Sequence, residues 1–470
     1  MMRLLRILSL IAASAVLAGC AVQGPQRDEA ALLELPAQWR QAGEGAAAEV
    51  RSDWWRAFGS AELDRLVSRA EHDSLDLSTA VMRVRQAEAS ARIAGAALLP
   101  EVAAGLDGGR RGSLEGDGSA GSHGAALDAR FEVDFWGRHR AGRDSAVAML
   151  QATAFDRDTV RLTVTAGVAS AWLNAVALRE RIGIAERNLQ SAERLLELVE
   201  SRVRAGAATP LALAQQRGLA VGQRRSLTAL QQQAEAARTA LAVLLAQPGG
   251  IEIGETSLAT LETPDIGAGL PSELLVRRPD IARAEALLAS AEANVRAARA
   301  AMLPSLTLAA GVSAEGDHLR RAFDNPVYSL AAGLAAPIFN AGRLAAGHEL
   351  AQARREERLA NYRQAIVDAF ADVELVLNAV AGLDAQAALQ AEELAQAQRA
   401  LTLAESRYRA GAESLLTLLD TQRTLYAAQD AAAQLRLARL SSSVALYRAL
   451  GGGWRVAPAV QAMAAEGAAR

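Results

Sequence analysis

Lysine is absent from this 470-residue chain, so all 50 of its basic residues are arginine. Cysteine occurs once, and aromatic residues make up only 4% of the sequence. A single cysteine excludes a disulfide framework and a thiolate metal cluster. The net charge of -3 is too small to indicate nucleic-acid binding. Hydrophobic residues make up 51% of the chain, but few of them are aromatic. This composition favours long helices over a compact enzyme core.

The arrangements of residues that enzymes use are also missing. The histidines are scattered without metal-ligand spacing, at His72, His123, His139, His318 and His348. The sequence contains neither a nucleophile elbow nor a phosphate-binding loop. A Gly-x-Gly-x-x-Gly pattern at 116–121 precedes a predicted strand, whereas the dinucleotide-binding fingerprint must open a helix. The sequence therefore predicts no enzymatic activity, no metal site and no dissociable cofactor.

The first nineteen residues have the composition of an export signal. Arg3 and Arg6 precede an apolar run from Ile7 to Leu17, and small residues follow. The segment Leu17-Ala18-Gly19-Cys20 resembles the lipobox of bacterial lipoproteins, in which the cysteine is acylated. We therefore expect removal of residues 1–19 and a covalent lipid on Cys20. An ordinary buried cysteine is the alternative.

The chain repeats itself with an offset of 204 or 205 residues. The landmarks Ala87–Ala89, Gly137-Arg138, Leu173–Ala177 and Arg202-x-Arg204-Ala205-Gly206 recur as Ala291–Ala293, Gly342-Arg343, Leu377–Ala381 and Arg407-x-Arg409-Ala410-Gly411. Ordered matches at one offset indicate an internal two-fold repeat. We expect structural halves at 60–247 and 272–450 and a Gly/Pro/Thr-rich bridge at 248–271. Residues 20–59 would form an extended segment, and residues 451–470 a C-terminal tail.

Each half is expected to contain very long helices. Proline is absent between Pro100 and Pro210, and again between Pro337 and Pro458. Apolar residues and alanines recur in steps of four and three from Leu178 to Val203, as they do in coiled-coil seams. A helix over 138–205 would be about 100 Å long. Taken alone, this pattern favours a plain coiled-coil scaffold, such as a periplasmic adaptor.

A β-hairpin is predicted in each half, at 101–136 and 305–339. From Leu127 to Phe135 the odd-numbered residues are apolar, whereas the even-numbered ones are charged. A period of two predicts a strand, preceded by a partner strand at 101–110 and a loop at 111–122. The strand is either half-exposed in a soluble sheet or part of a transmembrane barrel. No later apolar run reaches the about eighteen residues of a transmembrane helix, so a chain that spans a membrane would do so with strands. Four strands cannot close a barrel in hydrocarbon, so a barrel would require oligomerisation.

Four segments together resemble the TolC-like outer-membrane factors, especially the lipoprotein branch that serves resistance-nodulation-division pumps. They are Asp53–Phe58, Asp134–Arg138, Leu270–Ile281 and Pro337–Arg343. The resemblance implies an α+β fold in which a homotrimer forms an outer-membrane β-barrel from four strands per protomer. A long periplasmic α-helical barrel would continue it.

The same resemblance implies a passive exit duct that extends from the outer membrane into the periplasm. Its implied partners are a periplasmic adaptor of the membrane fusion type, an inner-membrane pump and outer-membrane lipid, with no nucleic acid. The lipid signal and Arg277-Arg278-Pro279-Asp280 favour small-molecule efflux over protein secretion.

The resemblance also assigns roles to particular residues. The repeated Arg-x-Arg-Ala-Gly falls where each long helix turns back, so the implied adaptor-docking tips near 206 and 411 comprise Arg202, Arg204, Gly206, Arg407, Arg409 and Gly411. An ordinary helix C-terminus would also explain these arginines and glycines.

Just past the second tip, Leu416, Asp420 and Arg423 are implied to form a periplasmic gate. There Leu416 would narrow the pore, and three Asp420 carboxylates would attract cations. The first half has Gln215 and Gly218 at the corresponding positions, so only the second half would carry a gate. Without the resemblance, Asp420 reads as an ordinary solvated helix position.

Overall fold

A computed structural model describes residues 36–40, 50–112, 114, 119–264, 266–318 and 323–455 of this chain. The predicted export signal, Cys20 and most of the predicted tail at 451–470 lie outside the described residues. Within them, long helices accompany one small antiparallel sheet.

Eight α-helices occur in the described part of the chain. They are α1 (Ala61–Asp73), α2 (Leu75–Ala96), α3 (Arg138–Arg204), α4 (Pro210–Leu244), α5 (Leu274–Arg277), α6 (Pro279–Ala300), α7 (Arg343–Arg409) and α8 (Leu415–Ala449). Helices α3 and α7 have 67 residues each, α4 and α8 have 35 each, and α2 and α6 have 22 each. A helix of 67 residues is about 100 Å long, as the proline-free stretches predict.

The two longest helices begin in similar ways. Gly137 and Gly342 precede them with φ of 75° and 80°, a left-handed conformation that glycine adopts without strain. Before α3, the Asp134 carboxylate accepts hydrogen bonds from the main-chain amides of His139 and Arg140 at 3.0 and 2.9 Å. These bonds satisfy amides that have no partner within the helix. Burial opposes ionisation of Asp134, but the two amides and the Arg140 guanidinium lower its pKa below the usual range.

The sheet has four strands: β1 (Glu101–Gly112), β2 (Ser119–Val133), β3 (Ser305–Gly316) and β4 (Val327–Ala335). They pair antiparallel in the order β1-β2-β3-β4. Leu127 of β2 lies opposite Ala104 and Val312, and Val312 lies opposite Tyr328. The apolar residues of all four strands therefore share one face.

The first hairpin differs from its sequence-based prediction at two places. The predicted loop at 111–122 is too long, because Arg111 pairs with Ala120 and Gly112 with Ser119. Main-chain hydrogen bonds hold this part of the strand pair together. Glycine and serine can therefore pair there although the sequence does not alternate between apolar and polar residues. At its other end, β2 stops at Val133, since Asp134 already caps α3.

The main apolar core lies around the middle of α3, and we call it the central core. It combines side chains from α3, α4, α7, α8 and the N-terminal region, among them Trp54, Phe58, Trp172, Leu173, Leu241, Val373 and Val444. Trp54 stacks on Tyr447 with ring centroids 5.0 Å apart. The buried Trp172 indole donates a hydrogen bond to Glu62 Oε2 at 3.0 Å. Helix α3 includes a stretch apolar enough to cross a membrane, but 56% of that stretch is buried within the chain.

Carboxylates hold the bridge at 248–271 against the central core. Glu62 accepts hydrogen bonds from the amides of Gly254 and Glu255 at 2.7 and 3.1 Å. Glu180 likewise accepts from the Leu258 amide at 2.7 Å, and Leu258 is buried. At the bridge exit, Arg278 bonds Asp280 at 2.6 Å and the carbonyl of Ala449 at 3.2 Å. The bridge is therefore packed against the helices along much of its length.

Candidate gate and docking tips

The sheet exposes large apolar side chains on one face and charged side chains on the other. Leu106 and Leu330 are 85% and 77% exposed, and similarly exposed residues on that face are Val102, Tyr328 and Leu334. The opposite face of β2 carries Asp128, Arg130 and Glu132. On this face the Asp128 side chain lies close to the main chain of β3, since a Cβ atom added at Gly311 would be 2.8 Å from Asp128 Oδ1.

The three predicted gate residues lie on one exposed stripe of α8. Leu416, Asp420 and Arg423 are spaced by four and three residues, which places them on the same side of a helix. All three are exposed, and Leu416 is 66% exposed although it is apolar. Among the described residues, the side chains of Asp420 and Arg423 form no ion pair. An exposed leucine followed by two free charges is therefore available to another surface.

The opposite side of α8 is buried against α7 and α3. Seven buried residues, Ala397, Leu401, Ala404, Tyr408, Leu418, Leu425 and Ala428, form a cluster that we call the tip cluster. The buried Tyr426 hydroxyl donates to the carbonyl of Asn188 on α3 at 3.2 Å, and burial raises its pKa. One turn earlier, the Gln422 side chain is fully buried, yet neither Nε2 nor Oε1 has a hydrogen-bond partner in the described part of the chain.

The two helix tips share one backbone design. At the first tip, Gly206 has φ of 70°, its amide donates to the carbonyl of Val203 at 3.0 Å, and the Ala207 amide donates to that of Arg202 at 2.8 Å. At the second, Gly411 and Ala412 make the corresponding bonds to Tyr408 and Arg407 at 3.1 and 2.8 Å. This is the Schellman arrangement that ends many helices. Thr209 and Ser414 then cap the returning helices by accepting from the amides of Ala212 and Thr417.

The arginines at the two tips differ in their contacts. Arg202 reaches from the first tip to the carbonyls of Tyr408 and Arg409 on the second hairpin. Arg407 pairs with Glu413 at 3.4 Å, and Arg409 pairs with Glu405 at 3.6 Å. Arg204 is exposed and forms no ion pair with the described residues. The four arginines of the repeated motif are therefore not equivalent.

Sequence reasoning did not single out Glu413, Tyr408 or Gln422. A hydrogen bond from the Ser414 amide, then one from the Thr417 hydroxyl and the Arg407 guanidinium, lower the pKa of Glu413. Its position directly before the helix-capping Ser414 was a usable signal, since acidic residues favour helix N-termini. Gln422 and Tyr408 carried no such signal, because their burial depends on how α7 and α8 pack.

Comparison with known proteins places this chain in one family. The chain is 51% identical over 462 residues to the pyoverdine export outer membrane protein OpmQ of Pseudomonas aeruginosa, covering 95% of this chain and 97% of that protein. It is 31% identical to the cation efflux system protein CusC of Escherichia coli K12, over 93% of this chain and 97% of CusC.

Solved structures agree with these sequence relatives. A CusC crystal structure matches with a TM-score of 0.83 at 30% identity, over 92% of this chain and 99% of that one. The open state of the Neisseria gonorrhoeae MtrE outer membrane channel also matches with a TM-score of 0.83, at 29% identity, over 92% and 98% of the two chains. The family model described as outer membrane efflux protein matches residues 66–247 and 270–452. This chain belongs to the outer membrane efflux protein family.

Proposed function

We propose that this efflux protein works as a homotrimer in which each copy contributes its four strands to one shared β-barrel in the outer membrane. The observation that carries the proposal is the sheet with exposed leucines on one face, charged residues on the other, and outer strands β1 and β4 that have a neighbour on one side only within the described residues. Hydrocarbon offers no partner for an open strand edge. Pairing β1 of one copy with β4 of the next closes the barrel and leaves no open edge.

The strand lengths support the same assembly. The strands contain 12, 15, 12 and 9 residues, against about 9–11 needed to cross a bilayer when tilted. The exposed leucines would face lipid, while Asp128, Arg130 and Glu132 would face a water-filled lumen. Below the barrel, α3 and α7 would continue the wall as a periplasmic α-helical barrel.

We further propose that the two halves arose by duplication, with boundaries at 60–247 and 272–450. The equal lengths of α2 and α6, of α3 and α7, and of α4 and α8 support this. The family model also matches the chain twice, on either side of the bridge. Cys20 would carry the lipid that anchors the mature chain.

The exposed stripe of Leu416, Asp420 and Arg423 would form the periplasmic gate. In a trimer, three copies of Asp420 around one axis would repel each other and bind cations. The tips at Gly206 and Gly411 would meet a periplasmic adaptor, which connects the duct to an inner-membrane pump. Because the duct itself carries no motif for an energy source, export through it would be passive.

Conductance in planar bilayers tests the pore and its gate together. The variant Asp420→Ala removes the proposed carboxylate ring, and Gln215→Ala is a matched control at the corresponding exposed position of α4. We expect small, cation-blocked currents from the wild type and a roughly tenfold weaker block in Asp420→Ala, with no change in Gln215→Ala. If no preparation inserts or conducts, the barrel proposal fails, and a coiled-coil scaffold becomes the better account.

Pyoverdine is the first cargo to test, because the OpmQ relative named for its export is 51% identical to this chain. We expect this chain to restore pyoverdine release in Pseudomonas aeruginosa cells that lack OpmQ. Equal accumulation of pyoverdine inside cells with and without this chain would contradict the cargo assignment and leave the pore proposal intact.

A further inference from the structure

The first arginine of the first tip does not extend into solvent. Arg202 Nη2 donates hydrogen bonds to the main-chain carbonyls of Tyr408 and Arg409 at 3.1 and 3.2 Å. Its Cζ atom also lies 4.5 Å from the centroid of the Tyr408 ring, and Tyr408 is buried. A single guanidinium thus contacts both the side chain and the main chain at the end of α7.

These contacts satisfy a general need of helix ends. The last carbonyls of a helix have no amide partner within it, and the end carries partial negative charge, so a cation is favourable there. Arginine is suited to this position because its planar group can stack on an aromatic ring while it donates hydrogen bonds. Arg202 therefore caps a helix from which it is separated by more than 200 residues of sequence.

The equivalent residue of the repeat does not make a reciprocal contact. Arg407 stays within its own tip, where it lies 3.4 Å from the carbonyl of Ala412 and 3.4 Å from Glu413 Oε2. Arg409 is partly neutralised by Glu405. The connection between the two tips is thus one-sided, although the local sequence Arg-x-Arg-Ala-Gly is the same.

We propose that Arg202 is a positioning residue that ties the first tip to the end of α7 and fixes the spacing of the two tips. The consequence for docking rests on the proposed function: Arg204 and the ion-paired Arg407 and Arg409 face the adaptor, while Arg202 keeps the two tips at a fixed spacing from inside. Arg202 itself does not contact the adaptor.

Hydrogen–deuterium exchange of the complete protein in detergent tests this role without any partner. The Gly411 amide donates to the Tyr408 carbonyl, which is also an acceptor for Arg202, so this amide reports on the contact directly. We expect Arg202→Ala to speed exchange about fivefold over 408–412, because it removes a charged hydrogen-bond donor. The control Arg204→Ala, two residues away in the same helix turn, should leave exchange over 408–412 unchanged.

A second pair of variants separates the ring contact from general damage to the fold. Tyr408→Phe keeps the ring beneath Arg202 and should match the wild type, whereas Tyr408→Leu should speed exchange over 408–412. Exchange over 164–178 in the central core should stay constant in every variant. The proposal is overturned if Arg202→Ala leaves exchange over 408–412 unchanged, or if it speeds exchange equally in the central core. Neither readout depends on conduction, so a failure of the pore proposal would be recognised separately.

Discussion

The central core and the tip cluster involve the same long helices, but they bury different kinds of side chains. The central core buries Trp172, Phe58 and Leu173 completely, and the indole nitrogen of Trp172 donates a hydrogen bond to the carboxylate of Glu62. The tip cluster consists mostly of alanine and leucine, and Gln422 and Gln216 lie buried nearby with amide oxygens that have no partner in the described part of the chain. A buried polar atom without a partner costs roughly 1–3 kcal/mol.

The helices are therefore held together more firmly at the central core than at the tip cluster. Separating them costs most where large apolar side chains interlock and least where the buried surface is small and partly unsatisfied. A gate needs a segment that can move while the rest stays assembled. The proposed gate residues lie between the tip and Tyr426, whose hydroxyl bonds α3. This position supports the proposal that the tip end of α8 is the part that moves.

The largest effect should come from a cavity in the central core. Trp172→Ala is expected to lower the free energy of unfolding by about 3–5 kcal/mol, since it deletes a fully buried aromatic side chain. Thermal unfolding of the complete protein in detergent would measure this as a lower midpoint. Leu403→Ala, at an exposed position of α7, serves as the control. Equal midpoints for the two variants would contradict the stability that we assign to the central core.

A moderate effect of opposite sign is expected at the tip. Gln422→Leu replaces an unsatisfied buried amide with an apolar side chain of similar size, so it should stabilise the packed tip by roughly 1–2 kcal/mol. Hydrogen exchange over 415–429 should slow accordingly, while Gln215→Leu on exposed α4 surface should not slow exchange. Faster exchange in Gln422→Leu would show that the amide makes favourable contacts and that the tip is not weakened there.

A smaller effect is expected at the two turns. Gly206→Ala and Gly411→Ala should each destabilise their tip by about 1 kcal/mol, because a side chain in the left-handed conformation is strained. Neither glycine has a neighbour that an added Cβ would meet, so the cost is purely conformational. Gly218→Ala, inside α4, should instead stabilise by a similar amount. Unequal losses at the two tips, measured by exchange over 203–209 and 408–414, would contradict the shared backbone design.

The smallest effect should depend on pH and should occur at the second tip but not at the first. The pKa of Glu413 is lowered in the folded chain, so its contribution to stability is present above the pKa of the unfolded chain and is lost as pH falls through the lowered value. Near neutral pH, Glu413→Gln should speed exchange at the second tip by about twofold or less, because solvent screens an ion pair at the protein surface. The difference from wild type should vanish in acid. Glu200→Gln near the first tip is the control and should leave exchange at the second tip unchanged. If the difference between Glu413→Gln and wild type persists in acid, the charge of Glu413 is not its cause.

Much of the fold could be predicted from local patterns. The alternation from Leu127 to Val133 predicts β2, and the Gly-Arg pairs mark where α3 and α7 begin. These predictions succeeded because a strand period, a glycine turn and the absence of proline act over a few residues. The loop at 111–122 was predicted too long, since glycine and serine in a ladder give no periodic signal. The roles of Leu416, Asp420 and Arg423, the lipid on Cys20 and the docking tips remain predictions.

The lengths of the helices, the two faces of the strands and the turn at each tip can all be predicted from the amino-acid sequence, because they follow from local sterics and side-chain period. The packing of the folded chain is what distinguishes the two identical Arg-x-Arg-Ala-Gly motifs, because one of them reaches across to the other hairpin and the other does not. Arg202 finds Tyr408 and Arg409, whereas Arg407 finds Glu413 within its own tip. No local pattern could indicate this contact, because Tyr408 lies 206 residues from Arg202 and becomes its neighbour only when the two hairpins pack.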